Sequence, residues 1–280
     1  MVHDILLKAE QLSYTYEGSD VPALNGLSLE IQRGRKIACM GANGSGKSTF
    51  FLCCNGIRKP DSGRLYFEGR PLDYSKKGLL SLRSKVGVVF QDPDDQLFSA
   101  NVLQEISFGP LNLGLTQQET KQRAAQVMER LGITPFAHRP VHALSGGQKK
   151  LVAIADILVM EPSLILLDEP AAALDPIHTR IVREIIDEIS ASGITIVTAT
   201  HDVDYAWSWA EDVLLFHEGR LLACGAPEEV FTKKELLDTA SLEEPCVLSM
   251  YQALREKDLL PDLQNCPRTL NDLKEYLRYV

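Results

Sequence analysis

A glycine-rich segment early in the chain has the residue types that bind phosphate. It reads GANGSGKS over residues 41–48 and fits the pattern GxxxxGK[ST] at every required position. Glycines let the backbone curl so that successive N–H groups point at phosphate oxygens, and the start of a helix adds partial positive charge. In this pattern Lys47 reaches the β- and γ-phosphates of a nucleotide, and the Ser48 hydroxyl ligates Mg²⁺. An apolar run before the loop and a helix expected from Thr49 supply the required context, which argues against a chance glycine-rich turn.

Two acidic residues end an apolar strand further along the chain. The sequence LILLDE occupies residues 164–169. In open α/β sheets, ligands gather at the carboxyl ends of the strands. Asp168 is then placed to hold Mg²⁺ through its water shell, and Glu169 to polarise an attacking water as general base. Alone, the same run could be a strand leaving the core for solvent, but the phosphate loop upstream favours catalysis.

The elements that must position these residues alternate between strands and helices. Strand candidates are residues 36–40, 65–67, 86–90, 164–167 and 194–199. Between the last two, isoleucines and a valine recur at helical spacing on one face, at Ile181, Val182, Ile185, Ile186 and Ile189. A strand, a helix and a second apolar strand in this order predict a parallel sheet with helical cover.

The middle and the end of the chain differ from this pattern. Residues 99–160 are mainly helical, and Thr116 with Glu119 forms a capping box for a helix that should end near Leu131. Beyond about residue 226 short helical pieces are broken by prolines. We expect a helical insert in the α/β core and a C-terminal extension.

Composition excludes several other classes of protein. The formal net charge is −9, which is unsuited to grasping a nucleic-acid backbone. No signal peptide and no apolar run long enough to span a membrane is evident, so work at a membrane is expected to go through partner subunits. The six cysteines contain no CxxC pair, which is typical of reduced, mostly buried thiols in a cytosolic protein. His138 and His142 flank Pro140 and are expected in a solvated loop rather than a metal site.

A third motif, LSGGQ at residues 144–148, lies between the phosphate loop and the acidic pair and is called the signature below. Small residues at a helix start expose N–H groups and a hydroxyl to a phosphate, although alone they could be an ordinary helix cap. With the three motifs in this order, residues 5–225 resemble the ATP-binding subunits of ABC transporters. The resemblance implies an α/β fold: a P-loop ATPase core over residues 1–225, with a helical subdomain inserted at about 92–160 and an antiparallel β subdomain. Residues 226–280 would form a small helical extension.

The same resemblance implies a role for each matching residue. Tyr16 would stack on adenine, with Tyr14 as the alternative, Gln91 would sense the γ-phosphate, and Asp175 would anchor a loop crossing a dimer interface. The nucleotide-binding set comprises Tyr16, Gly41, Asn43, Gly44, Ser45, Gly46, Lys47, Ser48, Thr49, Gln91, Ser145, Gly147, Gln148 and His201. The catalytic set is Glu169, His201 and Gln91, and the Mg²⁺ set is Ser48, Gln91 and Asp168. The signature residues would contact ATP held by a second copy of the chain.

Further segments are similar to a narrower class. DPDDQLF at 92–98 and FGPLNLG at 108–114 resemble energy-coupling-factor importers, and PLDYSKKGLL at 71–80 resembles the cobalt-importer ATPase, with the nickel-importer ATPase close by. The implied partners are integral membrane coupling and substrate-capture subunits at the cytoplasmic face of the membrane. Leu151 and Asp156 depart from the family pattern and should lie on the helix behind the signature, away from the phosphate.

Two other classes of function remain as alternatives. A soluble ABC ATPase of DNA repair or translation usually carries a long coiled-coil insert or two cassettes, and this chain has one cassette and no sustained heptads. A regulatory module that binds ATP without hydrolysing it would lack Glu169 or an intact signature. Among importers, nickel or a vitamin is the alternative cargo to cobalt.

Overall fold

The structure is a computed structural model that describes residues 4–260 and 266–278. The strands are β1 (Ile5–Tyr14), β2 (Leu24–Gln32), β3 (Lys36–Met40), β4 (Ser62–Phe67), β5 (Arg70–Pro71), β6 (Val86–Val89), β7 (Leu164–Asp168), β8 (Thr195–Ala199), β9 (Asp212–His217) and β10 (Arg220–Gly225). The helices are α1 (Lys47–Cys54), α2 (Lys76–Lys85), α3 (Val102–Asn112), α4 (Gln117–Arg130), α5 (Gly146–Leu158), α6 (Pro176–Ala191), α7 (Val203–Trp209), α8 (Pro227–Phe231), α9 (Lys234–Ala240), α10 (Cys246–Arg255) and α11 (Leu270–Leu277). Short 3-10 turns lie at Pro93–Asp95, Thr134–Phe136 and Val141–Ala143.

A six-stranded sheet forms the centre, in the order β10-β9-β3-β8-β7-β6. The last five of these strands run parallel, and β10 is an antiparallel edge strand. Cys39 of β3 and Asp168 of β7 both lie opposite Ala199 of β8. The carboxyl ends of three adjacent strands therefore coincide, which brings the loops after them to one edge of the sheet.

The two faces of this sheet bury different hydrophobic clusters because side chains alternate along each strand. In β3, Ile37 and Cys39 face a cluster shared with α1 and with a four-stranded antiparallel sheet, ordered β2-β1-β4-β5. Ala38 and Met40 face the other cluster, which includes side chains of α3, α5 and α6. This arrangement, with its parallel core and antiparallel second sheet, confirms the predicted fold class.

The predicted helix starts are also found. Thr116 and Glu119 form the expected capping box, with the Thr116 Oγ1 accepting from the Glu119 amide at 3.3 Å, and α4 ends at Arg130 with Leu131 as its cap. In α6 the buried face comprises Val182, Ile185, Ile186 and Ile189. Ile181, the fifth residue of the predicted face, is partly buried against the same cluster. Sequence periodicity thus identified the core-facing side of α6.

The residues after β10 continue the core rather than forming a separate one. Val230, Leu248 and Leu273 belong to the same hydrophobic cluster as the fully buried Trp207 of α7. The Trp207 indole N–H donates to the Pro267 carbonyl at 2.9 Å. Over residues 4–260 and 266–278, no helix combines the length and apolar character needed to cross a membrane.

Candidate functional site

The glycine-rich loop connects β3 to α1 in a conformation that requires glycine. Gly41 and Gly46 have φ angles of 138° and 106°, which L side chains rarely adopt. A Cβ atom at Gly41 would lie 2.2 Å from the Phe216 carbonyl oxygen, and one at Gly46 would lie 2.6 Å from the Ala23 carbonyl oxygen. A Cβ at Gly44 would meet nothing within 4 Å, so that part of the loop faces open space. The loop is therefore a backbone cradle at the start of a helix, as phosphate binding requires.

A cleft of about 200 Å³ opens beside this loop. It is lined by Tyr16, Ala23, Asn43, Gly44, Ser45, Gly46, Lys47, Ser48, Thr49, Gln91, Asp168, Glu169 and His201. The Lys47 ammonium is buried and donates to the Gly41 carbonyl at 2.7 Å and the Ala42 carbonyl at 3.0 Å. Its charge lies within the loop, where it can meet a phosphate.

The aromatic at the mouth of the cleft is Tyr16. It is 37% exposed, whereas Tyr14 is 9% exposed and packs edge-on against it with ring centroids 5.0 Å apart. The Tyr16 hydroxyl lies 3.1 Å from the Thr49 Oγ1. Of the two tyrosines considered from sequence, only Tyr16 lines the cleft.

The two acidic residues occupy different environments. Asp168 ends β7 and is 9% exposed. Glu169 leaves the strand with a φ of 44°, a left-handed conformation held by its amide donating to the Ala199 carbonyl at 3.0 Å. Burial raises the pKa of Glu169 to about 7, with the Asp168 charge adding to the effect and the Lys47 charge opposing it. A carboxyl group poised near neutral pH suits a general base.

His201 follows β8 and faces Glu169 across the cleft. Its Nε2 atom lies 3.0 Å from Glu169 Oε1, at ion-pair distance but outside hydrogen-bond geometry. Burial, and then the charge of Lys47, lowers the pKa of His201 below its usual value. A neutral imidazole is therefore favoured at neutral pH, in which one ring nitrogen donates a hydrogen bond and the other accepts one.

The signature residues lie outside this cleft. Ser145 caps α5, accepting from the Gln148 amide at 3.3 Å, while the Gln148 side chain accepts from the Ser145 amide at 3.2 Å. Ser145 and Gly146 are exposed, and a Cβ at Gly146 would meet nothing within 4 Å. Among the described residues that line the cleft, none belongs to the signature. One copy of the chain therefore presents two separate features, a glycine cradle and an open, capped helix start, at different places on its surface.

The fold places two further residues beside these motifs that sequence patterns did not single out. His178 of α6 contacts Asp175 through its Nδ1 atom. Its ring packs against Gly147 so closely that a Cβ atom at Gly147 would lie 2.3 Å from His178 Cδ2. Its spacing three residues after the helix cap Asp175 was the available signal. Lys150 is buried and contacts the backbone at Gln91, which no local pattern could reveal.

The donors available for a magnesium ion are oxygen atoms. Ser48, Gln91 and Asp168 all line the cleft beside the phosphate loop and offer a hydroxyl, an amide carbonyl and a carboxylate. These are the hard ligands that Mg²⁺ prefers, together with water and phosphate. The residues present therefore fit the ion that the motifs imply.

Comparison with known proteins identifies the class. Residues 24–172 match the ABC transporter family. The chain belongs to this family of ATP-binding cassettes, and it is an ATPase.

Individual relatives narrow the resemblance. The chain is 45% identical over 258 residues to the energy-coupling factor transporter ATP-binding protein EcfA2 of Clostridium perfringens, covering 92% of this chain and 90% of that protein. It resembles the structure of cbiO1 from Clostridium perfringens, part of the ABC transporter complex cbiONQ, with a TM-score of 0.74 and 44% identity. The match covers 90% of this chain and 99% of cbiO1. It also resembles the dimeric cassette MJ0796 bound to ADP and Pi, with a TM-score of 0.72 and 26% identity. That match covers 79% of this chain and 99% of the MJ0796 chain. The resemblance to the energy-coupling-factor class is thereby confirmed.

Proposed function

We propose that this chain is the motor subunit of an energy-coupling-factor importer and that it hydrolyses ATP between two copies arranged head to tail. The observation that carries the proposal is the separation of the cleft from the exposed Ser145 on the same chain. A second copy supplies the missing signature to each cleft, and the dimeric relative MJ0796 supports such a pairing. Homodimeric use is favoured because both halves of the site are intact in one sequence.

Each residue of the cleft has a chemical task in this proposal. Tyr16 stacks on adenine, the loop amides and Lys47 hold the β- and γ-phosphates, and Gln91 and His201 contact the γ-phosphate. Glu169 accepts a proton from the water that attacks the γ-phosphorus, and the bond to the β–γ bridging oxygen breaks. Ser48, Gln91 and Asp168 would hold a Mg²⁺ ion, which would supply positive charge to the phosphate oxygens.

Surface chemistry supports a membrane partner. An apolar groove of about 560 Å³ lies among α3, the first turns of α4 and residues 98–100, lined in part by Phe98, Leu103, Phe108 and Leu111. Phe98 is 67% exposed and packs edge-on against Phe108, with centroids 4.8 Å apart. Exposed aromatic residues around a groove are typical of an interaction site. We expect the coupling subunit to dock here, which puts this chain at the cytoplasmic face of the membrane as a peripheral subunit.

The cargo we propose is cobalt. Support comes from residues 71–80 and 91–98, which resemble the cobalt-importer ATPase more than vitamin-importer ones. Within the described residues, no group of three or more His, Cys, Asp or Glu side chains is placed to hold a metal ion. In this proposal the cargo is recognised by the membrane subunits.

Uptake measurements test the cargo and the motor together. Cells or vesicles carrying the membrane subunits with the wild-type chain should accumulate radiolabelled cobalt. Glu169→Gln keeps the shape of the side chain but removes the base, so turnover should fall by about 10²–10⁴-fold while the complex still assembles. Uptake should stop with that variant.

The competing cargoes give different outcomes. Loss of nickel uptake with cobalt uptake untouched would assign the chain to a nickel system, since the two ions share size and ligand preferences. If neither ion responds, the cargo proposal fails and a vitamin becomes the candidate. Near-normal hydrolysis by Glu169→Gln would contradict the role of the base itself.

A further inference from the structure

Lys150 is a buried cation that the nucleotide chemistry above does not use. It lies on α5, five residues after Ser145, and only 1% of its surface is exposed. Its ammonium donates to the Phe90 carbonyl at 3.0 Å and to the Gln91 carbonyl at 2.8 Å. Burying an ammonium group is costly unless its hydrogen bonds are made, so these contacts define where the side chain sits.

A second contact holds the same stretch of backbone to the same helix. The Gln96 side chain accepts from the Phe90 amide at 3.3 Å and donates to the Ala153 carbonyl of α5 at 2.9 Å. The Phe90 residue is therefore tied to α5 through both its N–H and its C=O group. A segment held on both sides follows α5 when that helix moves.

The contacts of Lys150 and Gln96, together called the tie, join two parts of the molecule that would contact two different ATP molecules. Gln91 lines the cleft of its own chain, whereas α5 begins at the signature. Under the proposed function, on which this step rests, Ser145 contacts the ATP of the second copy. We propose that Lys150 is a positioning residue: it ties Gln91 to the signature helix, so that the glutamine reaches its γ-phosphate only when α5 is seated on the partner's ATP.

The electrostatic setting is consistent with a charged tie. Burial lowers the pKa of Lys150 to about 8, against the opposing influence of Asp92, Asp168 and Glu169. A lysine ammonium carries three N–H donors, and two of them are used by the Phe90 and Gln91 carbonyls.

The neighbouring residue provides a matched control. Lys149 is the same residue type on the same helix, and its ammonium pairs with the exposed Asp94 carboxylate at 2.6 Å. It contacts a side chain at the surface rather than the backbone at Gln91. The Lys149 side chain is 15% exposed and that of Asp94 is 62% exposed, so the pair is open to water on one side and its loss should have a small effect.

A double-mutant cycle between Lys150 and Gln91 tests the proposal. In the wild-type background, Lys150→Met should lower kcat about 10–100-fold through misplacement of Gln91, with ATP affinity kept, because Lys150 does not line the cleft. Lys150→Arg keeps the charge and donors and should restore most of the activity, and Lys149→Met should behave as wild type. In a Gln91→Ala background, Lys150→Met should cost less than about twofold, because the residue acts through Gln91.

The outcomes separate this inference from the proposed function. Equal losses from Lys150→Met in both backgrounds would overturn it, as would a loss from Lys149→Met of the same size. If Lys150→Met does not fold, as judged by thermal melting, Lys150→Gln takes its place in the same cycle. Failure of the two-copy site would appear separately, as no recovery of hydrolysis when Ser145→Arg and Lys47→Ala chains are mixed under conditions where subunits exchange.

Discussion

At the scale of single residues, the proposed hydrolysis depends on a carboxyl group with an unusual environment. Glu169 lies between Asp168, which disfavours its charge, and Lys47, which favours it, and desolvation has the largest effect on its pKa. Its left-handed backbone, with a φ of 44°, turns the chain sharply at the end of β7. A non-glycine residue in this region costs about 1–2 kcal/mol, which is tolerated here because the Ala199 carbonyl holds the Glu169 amide.

This environment predicts an acid limb in the pH profile of hydrolysis. The base works as a carboxylate, and below a pKa of about 7 the carboxyl group is increasingly protonated. We therefore expect kcat at saturating ATP to fall as pH drops through about 7, rather than near the usual glutamate value. A steady-state assay across this range measures the effect, and the residual activity of Glu169→Gln should lack the limb. An activity that stays constant down to the ordinary pKa of a glutamate side chain would contradict the raised value.

At the scale of elements, the strand-loop-helix units set the site, and the C-terminal helices stabilise the core next to it. Arg268, just before α11, joins three segments of the chain. Its guanidinium donates to the Trp207 carbonyl at 2.7 Å, to the Ala210 carbonyl at 3.0 Å, and to both carboxylate oxygens of Glu228 at 2.8 and 2.9 Å. It also lies over the Trp207 ring, 5.1 Å from the centroid.

Replacement of Arg268 should destabilise the chain more than replacement of a surface arginine. Arg268→Ala removes a bidentate ion pair and leaves two backbone carbonyls without their donor, so we expect a loss of about 2–3 kcal/mol in the free energy of unfolding. Arg180→Ala is the control, since that side chain is 72% exposed and lies 3.8 Å from Glu184. It should change stability by less than about 0.5 kcal/mol. Urea unfolding gives both values, and equal effects would refute the anchoring role of Arg268.

At the scale of the whole molecule, two features have to be reconciled. The net charge is −9, yet the nucleotide proposed for the cleft is an anion, which is possible because the loop amides, the helix start and Lys47 provide local positive potential. In addition, the signature and the cleft do not meet within one chain. Each working site in the proposed dimer is therefore composite.

Mixing two inactive chains tests the composite site directly. Ser145→Arg should abolish hydrolysis with little loss of ATP binding, because the arginine fills the partner's phosphate position. Lys47→Ala should instead weaken binding of the phosphates. A mixed dimer contains one cleft with an intact loop facing an intact signature, so mixing should restore part of the wild-type turnover. Activity that stays at the level of the separate variants, under conditions where subunits exchange, would rule out the two-copy arrangement.

Much of the site could be predicted from the sequence because its chemistry is local. A phosphate cradle needs consecutive glycines, a lysine and a hydroxyl at set spacing, and these follow one another in residues 41–48. The sequence predicts the acidic pair at the sheet edge because ligands gather at the carboxyl ends of strands, whereas His201 was predicted from the family resemblance. Helix caps such as Thr116 were equally local, since the cap and its partner are three residues apart.

Contacts between distant parts of the chain depended on the tertiary structure. Sequence left Tyr14 and Tyr16 as alternatives, and only packing decided which one is exposed at the cleft. The burial of Lys150 has no local signal, because its partners lie about 60 residues away and its position depends on how α5 packs against β6. The attachment of the extension through Arg268 is similar, since it requires Trp207 and Glu228 to meet one guanidinium. Motifs of consecutive residues can be recognised from the sequence because their chemistry is local. Burial and long-range hydrogen bonds form only when the sheets and helices pack together.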